Sequence, residues 1–161
     1  MYQRILVPVD GSGTARRGLE EAIALAKALK SAIGLVHVVT PLPELYPPLS
    51  QRAAQEFIDQ LRSSGESILH DATTAVRSAG VAVDSRLIDA LGAQAGERII
   101  EQAAAWPAQL IVCGTHGRRG VRRLLVGSDA EHILRHSSVP VLLVRDPVPP
   151  ISAERLSHER V

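Results

Sequence analysis

Residues 110–117 have the sequence LIVCGTHG, in which an apolar run ends at two glycines. A short, continuously apolar run is typical of a strand that is buried on both faces, as in a parallel sheet. Residues 129–134 have the pattern of a helix. Ser128 and Glu131 have the S-x-x-E spacing of a capping box, which predicts that this helix starts at Ser128. The stretch therefore predicts a strand, a glycine-rich loop and a helix in succession.

The loop between this strand and this helix has the features of an anion site. Gly114, Gly117 and Gly127 allow the backbone to approach a ligand closely. The first amides of the helix point into the loop, with the positive end of the helix dipole behind them. Four cations lie between the glycines, namely Arg118, Arg119, Arg122 and Arg123. The simplest ligand for such a loop contains phosphates, although plain turn glycines and a solvated charged face fit the same pattern.

Length and composition indicate one globular domain. The chain has 161 residues, of which 45% are apolar and 22% charged. A formal charge of +1 and an aromatic content of 2% argue against a nucleic-acid partner. No apolar stretch reaches the length of a membrane span, and the opening residues do not resemble a secretory signal. The single cysteine, Cys113, is expected to pack as a small hydrophobe. These features predict a cytoplasmic protein without a membrane partner.

Strands and helices are predicted to alternate along the chain. Besides the strand at 110–113, apolar runs predict strands at 5–9, 35–39, 81–88 and 139–144. The strand at 81–88 is more polar, which places it nearer an edge of the sheet. Apolar residues at helical spacing predict helices at 15–29, 54–76 and 92–105. The alternation predicts an α/β fold, with residues 1–146 forming a single doubly wound, five-stranded parallel sheet with helices on both faces. Residues 147–161 are expected to form a polar tail.

The expected strand order places a candidate site between the first and fourth strands. A Rossmann-like half has the order 3-2-1-4-5, and its ligands bind where the order reverses, beyond the carboxyl ends of the strands. These ends are Asp10 and Gly114, and the second strand ends alongside at Val38. A carboxylate at this point accepts hydrogen bonds from ribose hydroxyls, so the crevice suits a nucleotide. The alternative for Asp10 is a purely structural role as a turn-forming Asx residue.

The same segments resemble the universal stress protein family. The nucleotide-binding branch of that family has the motif G-x2-G-x9-G-[S/T] after its fourth strand, and residues 114–128 fit it without a gap. The opening ILVPVDGS at 5–12 and the ending SVPVLLV at 138–144 are also similar to the family. The likeness covers residues 1–146. It implies a Rossmann-like fold of the adenine nucleotide alpha hydrolase-like kind.

The resemblance also implies where ATP or a related adenine nucleotide would bind. Asp10 would hold the ribose, with Pro8, Val9 and Ser12 in the same segment, and Val38 would meet the adenine through its backbone. The phosphates, with any Mg²⁺ that they bring, would lie near Gly114, Thr115, Gly117, Arg118, Gly127, Ser128 and Asp129. Asp129 departs from the family pattern, in which an apolar or small residue usually follows the motif serine. Its charge is expected either to weaken nucleotide binding or to help hold a cation.

The function implied by the resemblance is a nucleotide-binding stress-response or signalling protein rather than a dedicated enzyme. No nucleophile and base are paired by any motif, so no catalytic residue is assigned. The spacing of His132 and His136 suits chelation, but no third ligand is evident, and no metal site is predicted. One alternative is a slow ATP-hydrolysing or nucleotide-dependent enzyme on the same scaffold. Another is a flavin-binding electron carrier, for which the chain is short.

A homodimer is the expected assembly. The strand at 139–144 is apolar, contains no lysine, and lies at a sheet edge in the expected strand order. An open apolar edge promotes association unless it is covered or paired. Pairing with the same strand of a second copy satisfies both edges under two-fold symmetry. The family resemblance points the same way, while the alternative is that the tail covers the edge.

Overall fold

The computed structural model describes residues 2–40, 50–90, 92–115 and 127–145. The strands are β1 (Arg4–Pro8), β2 (Ala32–Val39), β3 (Val83–Asp89), β4 (Leu110–Gly114) and β5 (Val141–Val144). The helices are α1 (Gly13–Leu29), α2 (Gln51–Ser78), α3 (Ala95–Ala105) and α4 (Ser128–His136). The predicted contacts Gly117 and Arg118 and the predicted tail at 147–161 lie outside the described residues.

The five strands form one parallel sheet in the order β3-β2-β1-β4-β5, as predicted. β1 is central, because Ile5 pairs with Ile33 of β2 on one side and with Leu110 of β4 on the other. The first and fourth strands are therefore neighbours, and the strand order reverses between them. The more polar third strand lies at an edge, also as predicted.

Helices cover both faces of the sheet, and each face has its own apolar core. On one face, α1 and α2 pack against β1 and β2, through a cluster that includes Leu19, Ala22, Leu69 and Val76 from the helices and Ile5, Val7 and Leu35 from the strands. On the other face, Ile99 and Ala103 of α3 and Ile133 of α4 pack against Leu6, Val36 and Ile111. None of the helices in the described ranges is long and apolar enough to cross a lipid bilayer.

Several boundaries differ from the predicted ones for local reasons. α3 begins at Ala95 instead of residue 92, because Gly92 has a φ of 83°, which a helix excludes. α2 begins at Gln51, since the Ser50 hydroxyl accepts a hydrogen bond from the Ala53 amide at 3.2 Å and caps the helix. β5 begins at Val141 and not at 139. The residue at 139 has both its amide and its carbonyl bonded to one serine hydroxyl in the preceding turn.

The two edges of the sheet have different surfaces. In β3, Asp84, Ser85 and Arg86 are exposed in succession. β5 consists of four apolar residues, and the Leu142 side chain is 39% exposed. One edge is therefore polar and the other apolar.

Candidate functional site

The turn after β1 is built by Asp10 and Ser12. The Asp10 Oδ1 atom accepts a hydrogen bond from the Ser12 amide at 2.9 Å, which makes an Asx turn. The Ser12 hydroxyl accepts from the Ala15 amide at 3.2 Å and so caps α1. Gly11 has a φ of 80°, a conformation that favours glycine. The turn-forming role considered for Asp10 is therefore present, and it fixes the carboxylate at the carboxyl end of β1.

A histidine from β2 contacts the backbone at the carboxyl end of β1. The Val9 amide donates to the Val36 carbonyl at 2.9 Å, and His37 Nδ1 lies 2.7 Å from the Val9 carbonyl oxygen. His37 is only 6% exposed, and its ring lies against Gly65 of α2. The sequence analysis did not assign this role to His37. The available signal was a polar residue inside an apolar run, next to the carboxyl end of a central strand.

Gly114 is the point where α1 meets the end of β4. A Cβ atom on Gly114 would lie 2.7 Å from the Thr14 carbonyl carbon, 2.8 Å from its oxygen and 2.9 Å from the Ala15 nitrogen. Gly18 faces it from α1, where a Cβ would lie 3.3 Å from the Gly114 nitrogen. The first motif glycine thus permits close packing of a helix on a strand. This role is separate from the close approach to phosphates that the sequence suggested.

A hydrogen bond brings the two ends of the glycine motif together. The Gly127 amide donates to the Thr115 carbonyl at 2.7 Å. Thr115 is itself anchored, since its amide donates to the Val144 carbonyl at 3.0 Å and the residue is 2% exposed. Gly127 and Ser128 therefore lie beside the end of β4, although eleven residues separate Thr115 from Gly127 in sequence.

The predicted start of α4 at Ser128 is confirmed, but the predicted capping box is wrong. Gly127 is the N-cap, Ser128 is the first residue inside the helix, and no side chain caps it among the described residues. The Glu131 amide donates to the Gly127 carbonyl at 2.8 Å, while the Glu131 carboxylate pairs with Arg135 at 2.7 Å. The bond between Gly127 and Thr115 explains the shift, because it fixes Gly127 in the extended conformation that an N-cap requires.

Asp129 is directed towards the neighbouring helix. Its Oδ1 atom accepts a hydrogen bond from the Gly96 amide at 3.1 Å, at the first turn of α3. Gln94, the N-cap of α3, makes no side-chain hydrogen bond to that helix. Asp129 therefore supplies the first turn of α3 with an acceptor, a contact that neither of the two predicted roles of its charge had included.

The structure also describes the single cysteine and the pair of histidines that the sequence singles out. Cys113 is buried, and burial raises the pKa of its thiol from the ordinary value of 9.0 to about 12. A thiol with this pKa stays protonated at neutral pH and is a poor nucleophile. The rings of His132 and His136 stack with centroids 4.3 Å apart. Within the described ranges, no three histidine, cysteine or acidic residues are grouped as a metal site.

The contacts join most of the predicted site residues in one place. Asp10 binds Ser12, the Ser12 hydroxyl lies 3.3 Å from that of Thr14, and Thr14 touches Gly114. Thr115 then follows and binds Gly127. Pro8 and Val38 are half-buried near the ends of the two strands adjoining this turn. These contacts bring the ends of two strands and the first turns of α1 and α4 together.

Comparison with known proteins identifies the family of this chain. The sequence profile of the universal stress protein family matches residues 1–145. The universal stress protein MJ0531 of Methanocaldococcus jannaschii is 31% identical over 148 residues, which cover 91% of this chain and 84% of that protein.

Solved structures agree with this match. The crystal structure of a universal stress protein family member from Burkholderia pseudomallei has a TM-score of 0.73 and 33% identity, covering 89% of this chain and 96% of that one. The fold is also shared with a universal stress protein in complex with cAMP, at a TM-score of 0.65, 24% identity and coverages of 89% and 97%. The Archaeoglobus fulgidus protein in complex with dAMP has a TM-score of 0.62, 23% identity and coverages of 89% and 98%. The chain belongs to the universal stress protein family.

Proposed function

We propose that this protein binds ATP or a related adenine nucleotide at the ends of β1 and β4 and acts as a stress-response or signalling protein. The observation that supports the proposal most directly is the hydrogen bond between Gly127 and Thr115, at 2.7 Å. It places the N-terminus of α4 beside the point where the strand order reverses. In doubly wound sheets, this is the position at which nucleotides bind.

The start of α4 supplies the donors for phosphates. The Glu131 amide bonds to the carbonyl of the N-cap Gly127, so the amides of residues 128–130 have no carbonyl partner within the helix. These amides and the positive end of the helix dipole favour an anion. On the other side of the reversal point, the Asx turn fixes the Asp10 carboxylate, which we assign to the ribose hydroxyls. The complexes of family members with cAMP and dAMP support an adenine nucleotide as the ligand class.

Calorimetric titration with ATP, ADP and AMP in the presence of magnesium tests the proposal. We expect saturable binding by the wild type, weakened at least about tenfold by Gly127→Val, because a side chain at the N-cap occupies the space beside the first amides of α4. Gly127 has a φ of −61°, so the backbone accommodates the substitution.

Gly13→Ala is the matched control for this experiment. Gly13 lies at the start of α1 near the same crevice, and a Cβ there would have nothing within 4 Å. We expect this variant to bind nucleotide like the wild type. If the wild-type protein shows no binding of ATP, ADP or AMP at millimolar concentration, the proposed function is refuted.

We also propose that the protein forms a homodimer through β5. The Ile111 amide donates to the Pro140 carbonyl, and the Thr115 amide donates to the Val144 carbonyl. Because alternate residues of a parallel strand face the neighbouring strand, Val141 and Leu143 direct their backbone groups to the open edge. No strand of the described part of the chain pairs with that edge. A second copy of β5 is the partner that satisfies these groups symmetrically.

Leu142→Arg tests the dimer without disturbing the core. The side chains of Val141 and Leu143 pack against the α3 and α4 cluster, so charges there would unfold the protein regardless of assembly. Leu142 is 39% exposed, and Leu29→Arg is a matched control because Leu29 is 38% exposed at the end of α1. By light scattering at tens of micromolar, we expect a dimer for the wild type and Leu29→Arg, and a monomer for Leu142→Arg. A monomeric wild type would exclude the dimer.

A further inference from the structure

We propose that Asp129 is a positioning residue, which holds the phosphate-binding turn of α4 against α3 through its hydrogen bond to the Gly96 amide. The inference rests on the proposed function, since it concerns the same site. The residue type alone suggested that Asp129 affects nucleotide affinity through its negative charge. The proposal attributes the effect to the hydrogen bond between Asp129 and Gly96 instead.

The first turns of α3 and α4 are in direct contact. The Asp129 Oδ1 atom lies 3.1 Å from the Gly96 nitrogen. A Cβ atom on Gly96 would lie 3.0 Å from the Asp129 carbonyl oxygen and 3.1 Å from the His132 Cβ. Because Gly96 has no side chain, the backbone of α4 can lie close to α3. At this short distance, the Asp129 carboxylate accepts a hydrogen bond from the Gly96 amide.

The Gly96 amide depends on Asp129 for its acceptor. It belongs to the first turn of α3, where amides have no carbonyl partner within the helix. The cap residue Gln94 contributes only its carbonyl, which bonds the amides of Glu97 and Arg98. The Asp129 carboxylate, which belongs to α4, therefore caps the N-terminus of α3.

The contact between Asp129 and α3 explains how an acidic residue can lie next to the proposed phosphate site. The N-terminus of α3 has roughly half a positive charge, which offsets part of the Asp129 charge. Asp129 immediately follows Ser128, and Ser128 follows the N-cap Gly127. Fixing Asp129 on α3 therefore also fixes the two residues that are assigned to the phosphates.

The test compares Asp129→Ala with Asp129→Asn. Asparagine retains the acceptor oxygen and removes the charge, whereas alanine removes both. We expect Asp129→Ala to bind ATP and AMP about threefold to tenfold more weakly, by the usual effect of losing a helix cap, and adenosine unchanged. Asp129→Asn should bind all three like the wild type. Gly96→Ala, which leaves the charge in place but displaces α4, should reproduce the selective loss for ATP and AMP.

Amide exchange of Gly96, measured by NMR without nucleotide, provides a second readout. We expect faster exchange in Asp129→Ala and wild-type exchange in Asp129→Asn. Tighter ATP binding by both Asp129 variants would overturn the proposal, because the charge would then face the phosphates. An equal loss for adenosine, or unchanged Gly96 exchange in Asp129→Ala, would also overturn it. If the wild type binds no nucleotide, the proposed function fails, while selective loss of Gly96 protection still supports the docking bond.

Discussion

Gly114→Ala is expected to lower the free energy of unfolding by about 3 kcal/mol, at the upper end of the usual range for overpacking. The added methyl group would lie within 2.9 Å of three backbone atoms in the first turn of α1. Backbone atoms cannot rotate away as side chains do, so α1 must move off the sheet. For a domain of this size, the melting temperature should fall by about 6–12 °C.

Thermal unfolding followed by circular dichroism measures this effect, with Gly13→Ala as the control. Both substitutions add one methyl group near the start of α1, but a Cβ on Gly13 meets nothing within 4 Å. We expect Gly13→Ala to change the unfolding free energy by less than about 0.5 kcal/mol. A Gly114→Ala protein as stable as this control would show that the α1 contact can relax.

Gly65→Ala should destabilise the protein by about 2 kcal/mol, although the same change in an open helix stabilises by about 1 kcal/mol. The new Cβ would lie 2.6 Å from His37 Cδ2 and 2.8 Å from Leu87 Cδ1. The buried His37 ring is held by its contact with the Val9 carbonyl, so it has little freedom to withdraw. The sign of the effect therefore separates packing from helix propensity.

Ser64→Ala is the matched control for Gly65→Ala. Ser64 is the preceding residue of α2 and is exposed, so only helix propensity changes there, and we expect a gain of up to about 0.5 kcal/mol. Urea unfolding of both variants measures the difference in unfolding free energy. A Gly65→Ala protein more stable than the wild type would contradict the predicted clash.

Movement of His37 in Gly65→Ala should also weaken nucleotide binding, because His37 contacts the Val9 carbonyl and Asp10 follows Val9 directly.

The strands themselves and the edge position of β3 were predictable because their signals are local. Each buried strand is a short apolar run, and the exposed residues 84–86 interrupt the apolar pattern of β3. The order of the elements then restricts the topology to a doubly wound sheet. The prediction of a site between β1 and β4 follows from that topology and from the glycines after β4.

The details of the site depend on contacts between distant residues, which local patterns do not contain. Ser128 and Glu131 fit a capping box, but the tertiary bond from Gly127 to Thr115 makes Gly127 the cap. Gly65 lies within an amphipathic helix, and only the fold places it on His37. The Asp129 bond to α3 likewise joins residues that are far apart in sequence.

The unequal sheet edges would also limit the size of the proposed assembly. Joining two copies through β5 leaves a β3 edge at each end of a doubled sheet. A further chain would have to pair beside exposed Asp84 and Arg86, whose desolvation opposes strand addition. In the proposed dimer, growth would end after one step, because the apolar edge is then paired and the remaining edges do not match it. A dimer of this kind would stay in solution at high concentration without polymerising into fibres.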